Sequence, residues 1–268
     1  MGETTRPDGL RLDERERAQY EEQGYVVREG LFAADEVNEI IGCCERLVDE
    51  VVRERRGRRR KAGSYVFEPN AHLAMIIKWE GESDIVHGIE PFAHLSPEMK
   101  QWALDRRFVD PMKDLCGDDA PALFTEKLNL KRPHVGGRNP LHQDYPYWLD
   151  VSDDPLRLAT AMIFLDDSTL ENGCLRVLPG SHRLGVQEMR TDADKFGNNE
   201  MDPRPFATSR LVPLELQAGS VVYFGSLLVH MSEMNTSDRE RRALLFSYGP
   251  SNQRHLSDIL AERMARRG

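Results

Sequence analysis

Phe124-Thr125-Glu126-Lys127-Leu128-Asn129-Leu130-Lys131 reads as a β-strand. Under period-two alternation Thr125, Lys127, Asn129 and Lys131 share one face, and Phe124, Glu126, Leu128 and Leu130 share the other. A polar face on this strand suits either a wet pocket or bulk solvent. The composition changes here, just after Pro121. Downstream, β-rich segments at 158–165, 174–178, 211–216, 221–224 and 243–248 alternate with turn signals such as Glu171-Asn172-Gly173, Pro179-Gly180 and Ala218-Gly219. Many short strands at this spacing predict a β-sandwich or barrel over 121–250.

Upstream the pattern is helical. Residues 13–23 read as a polar helix stopped by Gly24, and 25–28 as a strand. From residue 35, Val37, Ile40, Ile41, Cys44, Leu47, Val48, Val51 and Val52 recur at helical spacing. The basic run 53–61 suits a solvated helix end, where the macrodipole is negative, better than an acid-binding patch. Short strands are expected at 65–67 and 74–79. Ser96-Pro97 caps a helix to about 106, and a second follows at 108–115. The chain is therefore expected to be one domain over 1–268, with a mostly helical support at 1–120 and a β core at 121–250. The polar stretch 181–210 is long enough to serve as a lid or binding loop.

Composition bounds the function. A net charge of −9 argues against general nucleic-acid binding, and an apolar fraction of 40% fits a soluble globular protein. Cys43, Cys44, Cys116 and Cys174 show neither CxxC spacing nor a disulfide rhythm, which favours a reducing, cytoplasmic setting. The polar opening 1–22 carries no signal-like apolar core, and no apolar run reaches membrane-spanning length. Oligomeric state is not legible.

The chemistry centres on Leu141-His142-Gln143-Asp144. His142 and Asp144 lie two apart, so on an extended strand both would face one metal while Gln143 faced away. An HxD pair alone is weak evidence, a surface histidine beside an aspartate being the commoner reading. His230 strengthens it, because it ends the apolar strand-like run 221–229 and so emerges at a barrel mouth. Two histidines and one carboxylate form the facial set that binds ferrous iron and leaves positions open for a co-substrate and dioxygen. His72, His87, His94, His134, His182 and His255 lack equally placed partners. Arg241 opens the strand at 243–248, and an antiparallel return from His230 would bring it beside the metal strand. Its guanidinium suits the far carboxylate of an oxo acid. Ser232 shares a face with His230 and would help, whereas Arg242 falls on the opposite face from Arg241.

These segments resemble the phytanoyl-CoA dioxygenase-like family of Fe(II)/2-oxoglutarate oxygenases. The carrying residues are 128–133, 140–145, Asn172-Gly173-Cys174-Leu175-Arg176-Val177-Leu178-Pro179-Gly180-Ser181-His182, and His230 through Ser232 and Asn235 to Arg241, with Gly24-Tyr25-Val26-Val27 ahead of a long helix. The resemblance spans about 15–250. It implies a mainly β fold with flanking helices, a double-stranded β-helix or jelly roll of cupin type. It implies His142, Asp144 and His230 as iron ligands, and Arg241 and Ser232 on 2-oxoglutarate, with Asn129, Trp148 and Thr125 lining the co-substrate pocket. Iron, 2-oxoglutarate and dioxygen together would oxidise a C–H bond of a small-molecule substrate. Hydroxylation is the default outcome; cyclisation, epoxidation, desaturation or epimerisation share its first step, and bacterial relatives use such steps in secondary metabolism. Met231 replaces a glycine common in the family. Met162 stands where phytanoyl-CoA hydroxylases carry tryptophan, which argues against phytanoyl-CoA itself. Asp144 argues against halogenation.

Two further readings compete. A catalytically silent jelly-roll protein would keep the triad as a structural metal site. A zinc hydrolase would use the same ligands without needing Arg241. Tyr145, Tyr147, Tyr65 and Trp79 are candidate substrate contacts that packing explains equally well.

Overall fold

The computed structural model describes residues 10–54, 57–62, 65–188, 201 and 208–266, with the backbone alone for 62, 65 and 208. The elements run α1 (Glu14–Gln23), β1 (Tyr25–Arg28), α2 (Ala34–Arg53), β2 (Arg60–Ala62), β3 (Tyr65–Asn70), β4 (Met75–Trp79), β5 (Val86–Glu90), α3 (Pro97–Trp102), α4 (Arg106–Leu115), β6 (Ala122–Lys131) and β7 (Asn139–His142). They continue with α5 (Tyr145–Trp148), β8 (Ala159–Phe164), β9 (Leu175–Val177), β10 (Val212–Leu214), β11 (Val221–Gly225), β12 (His230–Ser232), β13 (Arg241–Gly249) and α6 (Leu256–Ala265).

Local signals explain the helix ends. Asp13 and Glu16 form a reciprocal capping box at α1, and Gly24 ends the helix at φ +85°, where a side chain would strain the backbone. A Cβ there would also meet the His182 ring. The Ser96 side chain caps α3, with Pro97 in the first turn. The α2 stripe buries Val37, Ile40, Cys43, Cys44, Leu47, Val48 and Val51, while Ile41 and Val52 sit at its edge.

The strands make two sheets. The major one has nine, in the order β1-β11-β8-β13-β6-β5-β4-β3-β2, and the minor one has four, in the order β10-β9-β12-β7. The main core lies on the outer face of the major sheet. There Ile40, Leu47 and Val51 of α2 and Phe108 and Met112 of α4 meet Ile77, Ile89, Leu128, Ile163, Tyr223 and Phe246. Each such buried aromatic side chain contributes on the order of 2 kcal/mol of transfer free energy, enough to hold the helices on that face. A second core joins the sheets: Met162, Phe164, Val222 and Phe224 from the major face Leu175, Val177 and Leu214 from the minor. This is the expected jelly roll with flanking helices.

Two details differ from the sequence expectation. Residues 1–120 supply four helices, but also five strands of the major sheet, two of which (β2 and β5) carry no clear sequence signal. Part of the basic run thus becomes the edge strand β2 instead of a helix end. The apolar run at 221–229 is not one strand. It splits into β11 in the major sheet and β12 in the minor sheet, because the chain crosses between sheets at 226–229. Of the 181–210 loop, residues 189–200 and 202–207 lie outside the described residues.

Candidate metal and co-substrate site

His142 ends β7 and His230 opens β12, and the two are cross-strand partners. Their rings lie 4.2 Å apart between centroids. Each Nδ1 lies close to a main-chain carbonyl two residues back, 2.7 Å from Pro140 O and 2.9 Å from Leu228 O. A carbonyl only accepts, so both Nδ1 atoms carry the proton and both Nε2 lone pairs are left for a metal. Those Nε2 atoms lie 3.7 and 3.9 Å from Oδ1 of Asp144. Ligand atoms from all three residues fall within 4.8 Å of one another, the arrangement a single cation needs. Burial, followed by the neighbouring His230, holds the His142 imidazole well below its usual range, so it stays neutral as a ligand must.

The strand argument for Asp144 needs correction. β7 stops at His142, and Asp144 has helical backbone angles as the residue before α5. A turn, not strand alternation, brings the carboxylate to the histidines. Gln143 does face away, and it is fully buried. Its Nε2 donates to Gly185 O at 3.0 Å and Leu227 O at 2.7 Å, and its Oε1 accepts from the Gln187 N–H at 3.0 Å. Gln143 thereby ties the metal loop to the segments on either side of it.

Arg241 is also placed differently from expectation. It starts β13 in the major sheet, paired with Lys131 of β6, not with the metal strand. Only 1% of it is exposed, yet Nε and Nη1 have no hydrogen-bond partner. Burial pulls its pKa down to about 10. Lys131 beside it is fully buried and committed, donating to Gly137 O at 2.6 Å and to Glu233 O. A buried guanidinium with idle donors is unfavourable unless a ligand meets it. A carboxylate fits that need, so the site's own chemistry suits a 2-oxo diacid. Arg242, on the opposite face, pairs outward with Asp166 and Glu45.

The remaining candidates divide. Asn129 lies two residues from Lys131 on the same strand face, with its Oδ1 buried and without a partner. The Ser232 hydroxyl accepts from Asn139 Nδ2 at 3.2 Å. Thr125 Oγ1 donates to Glu90 at 3.1 Å. Trp148 does not join this group; it packs edge-on to Phe124 at 5.7 Å, in a satellite core with Leu158, Leu256 and Leu260. Trp79 belongs to the main core. Tyr147 is exposed and stands edge-on to the His142 ring at 5.7 Å, while the Tyr65 side chain lies outside the described residues.

Sequence reasoning missed a polar chain beside Ser232. The Asn139 Oδ1 takes Lys78 Nζ at 3.2 Å and faces His87 Nε2 at 3.4 Å. His87, passed over for want of a partner, lies 2.5 Å from Glu80 through Nδ1, and burial pushes its pKa down to about 3. His134 pairs with Asp238 and His255 with Glu126, so these histidines have partners as well. The stretch 74–79 reads only as a short strand, and nothing local in it marks Lys78 as inward.

Comparison with known proteins agrees with this geometry. The phytanoyl-CoA dioxygenase family profile matches residues 20–243. The phytanoyl-CoA dioxygenase domain-containing protein 1 homolog of Dictyostelium discoideum is 26% identical over 259 residues, covering 87% of this chain and 90% of its own length. The crystal structure of EctD from S. alaskensis with 2-oxoglutarate and 5-hydroxyectoine superposes with a TM-score of 0.70 at 25% identity, covering 93% of this chain and 79% of that one. The non-heme alpha ketoglutarate dependent carbocyclase SnoK shares the fold, with a TM-score of 0.66 at 22% identity over 90% of this chain and 85% of that one. A profile match over most of the chain, around a converged His–Asp–His set, places this protein in the phytanoyl-CoA dioxygenase family of Fe(II)/2-oxoglutarate-dependent oxygenases.

Proposed function

We propose that this oxygenase oxidises an unactivated C–H bond of a small organic molecule, with hydroxylation as the outcome. His142, Asp144 and His230 hold ferrous iron. Arg241 holds the distal carboxylate of 2-oxoglutarate, with Ser232 and Asn129 completing the polar wall. When bound, iron with 2-oxoglutarate and dioxygen supplies the oxidising power for C–H cleavage. The chain's own residues do the rest. The two Nδ1–carbonyl contacts fix the rings, Gln143 fixes the loop that carries Asp144, and burial of Arg241 excludes water from the co-substrate end.

One observation carries this reading: a buried arginine with idle donors on the sheet facing a three-ligand metal set. A zinc hydrolase or a silent metal-binding jelly roll leaves that arginine unexplained. Use in natural-product tailoring is consistent with the same site, and ring closure or epimerisation would start from the same oxidation. Among the described residues no helix is long and apolar enough to cross a membrane.

The test is spectroscopic. Anaerobic Fe(II) with 2-oxoglutarate should give a weak visible charge-transfer band and, on adding air, succinate. Asp144→Ala should remove the band and lower succinate release by at least about 100-fold, in line with loss of a metal ligand. Normal succinate release from Asp144→Ala would sink the assignment.

A further inference from the structure

On the oxygenase reading above, one charged pair on the inward strand face has no assigned task. The β5–β6 ladder runs through Gly88 opposite Asn129 and Ile89 opposite Leu128. Just beyond these paired residues the Glu90 side chain approaches Lys127, which alternation along β6 puts on the face that carries Asn129. Lys127 Nζ and Glu90 Oε2 are 4.0 Å apart, with 37% and 27% of their side chains exposed. That separation is too long for a hydrogen bond. Among the described residues the Lys127 ammonium has no other polar partner. Glu90 holds its other oxygen toward Thr125 Oγ1. Alternation along β6 puts Lys131 on the face of Lys127 and Asn129 as well, and Lys131 is the cross-strand partner of Arg241, so the pair lies on the wall that carries the co-substrate arginine.

We propose that Lys127 and Glu90 form the substrate-recognition pair, and that the substrate is a small zwitterion carrying an acid group and a free amine. The acid group meets Lys127 and the ammonium meets Glu90. A loosely closed, half-exposed pair gains little by itself. A ligand with matching opposite charges replaces one poor contact with two charge-assisted hydrogen bonds. An anion alone meets repulsion from Glu90, and a cation alone meets it from Lys127. A molecule lacking either group leaves one charge desolvated and unpaired, the arrangement that discriminates most strongly among similar substrates. The pair would thus hold the substrate beside the ligand set by both ends of its charge.

The test uses the iron-loaded protein with 2-oxoglutarate, kept anaerobic for binding and aerated for turnover. The probes are small α-, β- and γ-amino acids and cyclic imino acids, each beside its N-acetyl and methyl ester forms. Binding is read by saturation-transfer NMR with a manganese-free, zinc-substituted control, and turnover by succinate release. At least one free zwitterion should bind and accelerate succinate release. Blocking either end should weaken binding by roughly 10- to 100-fold, as expected for loss of one charge-assisted contact. Glu90→Gln should erase the preference for the free amine, and Lys127→Met the preference for the free acid; a structural pair would not move these preferences. The exchange Lys127→Glu with Glu90→Lys keeps the ion pair, and should retain zwitterion binding where a single variant folds poorly. If no zwitterion binds better than its blocked forms, or the single variants leave the preferences intact, the assignment is wrong. Slow substrate-independent succinate formation by the unaltered protein separates the two levels. If it persists without zwitterion binding, the substrate class alone fails; if it is absent as well, the oxygenase reading fails and takes this inference with it.

Discussion

Arg241 and Arg242 show how one position along a strand decides a role. Both start β13, and alternation sends one guanidinium inward to idle donors and the other outward to Asp166 and Glu45. Such an inward charge is a stability liability unless a ligand meets it. Arg241→Met should therefore leave the melting temperature of the ligand-free protein unchanged or higher, while raising the KM for 2-oxoglutarate by about 100-fold, the loss of a bidentate charge-assisted contact. Calorimetric melting with and without 2-oxoglutarate checks both halves. A destabilised apo protein that still binds 2-oxoglutarate normally would refute the assignment of this arginine.

Among the elements, α2 carries the most structural consequence, because its buried stripe covers the outer face of the sheet. Its N-terminus has no side-chain cap from Ala33. Instead Glu36 reaches back to the Ala33 N–H at 2.9 Å and takes Arg107 of α4 through two hydrogen bonds. The Arg107 hydrogen bond, then that from Ala33, holds the Glu36 carboxyl below its ordinary value of 4.5. A carboxyl shifted down adds stability that is complete above that ordinary value and is lost as pH falls through the lowered one. Glu36→Gln should destabilise the protein by on the order of 1 kcal/mol at pH 7. It should also flatten the acid limb of the stability curve below about pH 4.5. Urea melts at pH 7 and pH 4 measure this; an unchanged acid limb would mean that Glu36 does not couple to proton binding.

At the scale of the molecule, the site exists because two sheets face each other. β7 and β12 of the minor sheet bring the histidines, and β6 and β13 of the major sheet bring Asn129, Lys131 and Arg241. Ligands that bridge the two walls should stiffen the whole fold. Zinc or manganese with 2-oxoglutarate at 100 times the dissociation constant should stabilise the protein by about 2.7 kcal/mol. A thermal melt with and without a chelator reads it, and Arg241→Met should lose the 2-oxoglutarate part while keeping the metal part. No shift with either ligand would contradict a site built across both sheets.

Alternation and capping residues alone determined a β-sandwich or barrel after residue 121 and the capped helices, and HxD with the later His230 marked His142, Asp144 and His230 as candidates. The jelly-roll form and the assignment of those three residues and Arg241 to iron and 2-oxoglutarate came with the family resemblance, which rests on the order of several motifs along the chain. The sequence also determined that Arg241 and Arg242 oppose each other, since alternation is local. Tertiary structure decided what local pattern cannot encode. It set Asp144 in a turn instead of on a strand, split 221–229 between two sheets, and put Arg241 in the major sheet, away from the strands that carry the two histidines. It brought His87 to Glu80 and Lys127 to Glu90, pairs whose members sit seven and thirty-seven positions apart. It also assigned Trp148 to a satellite core. Such outcomes depend on which strands become neighbours and which face becomes the inside, and long-range packing of the two cores settles both.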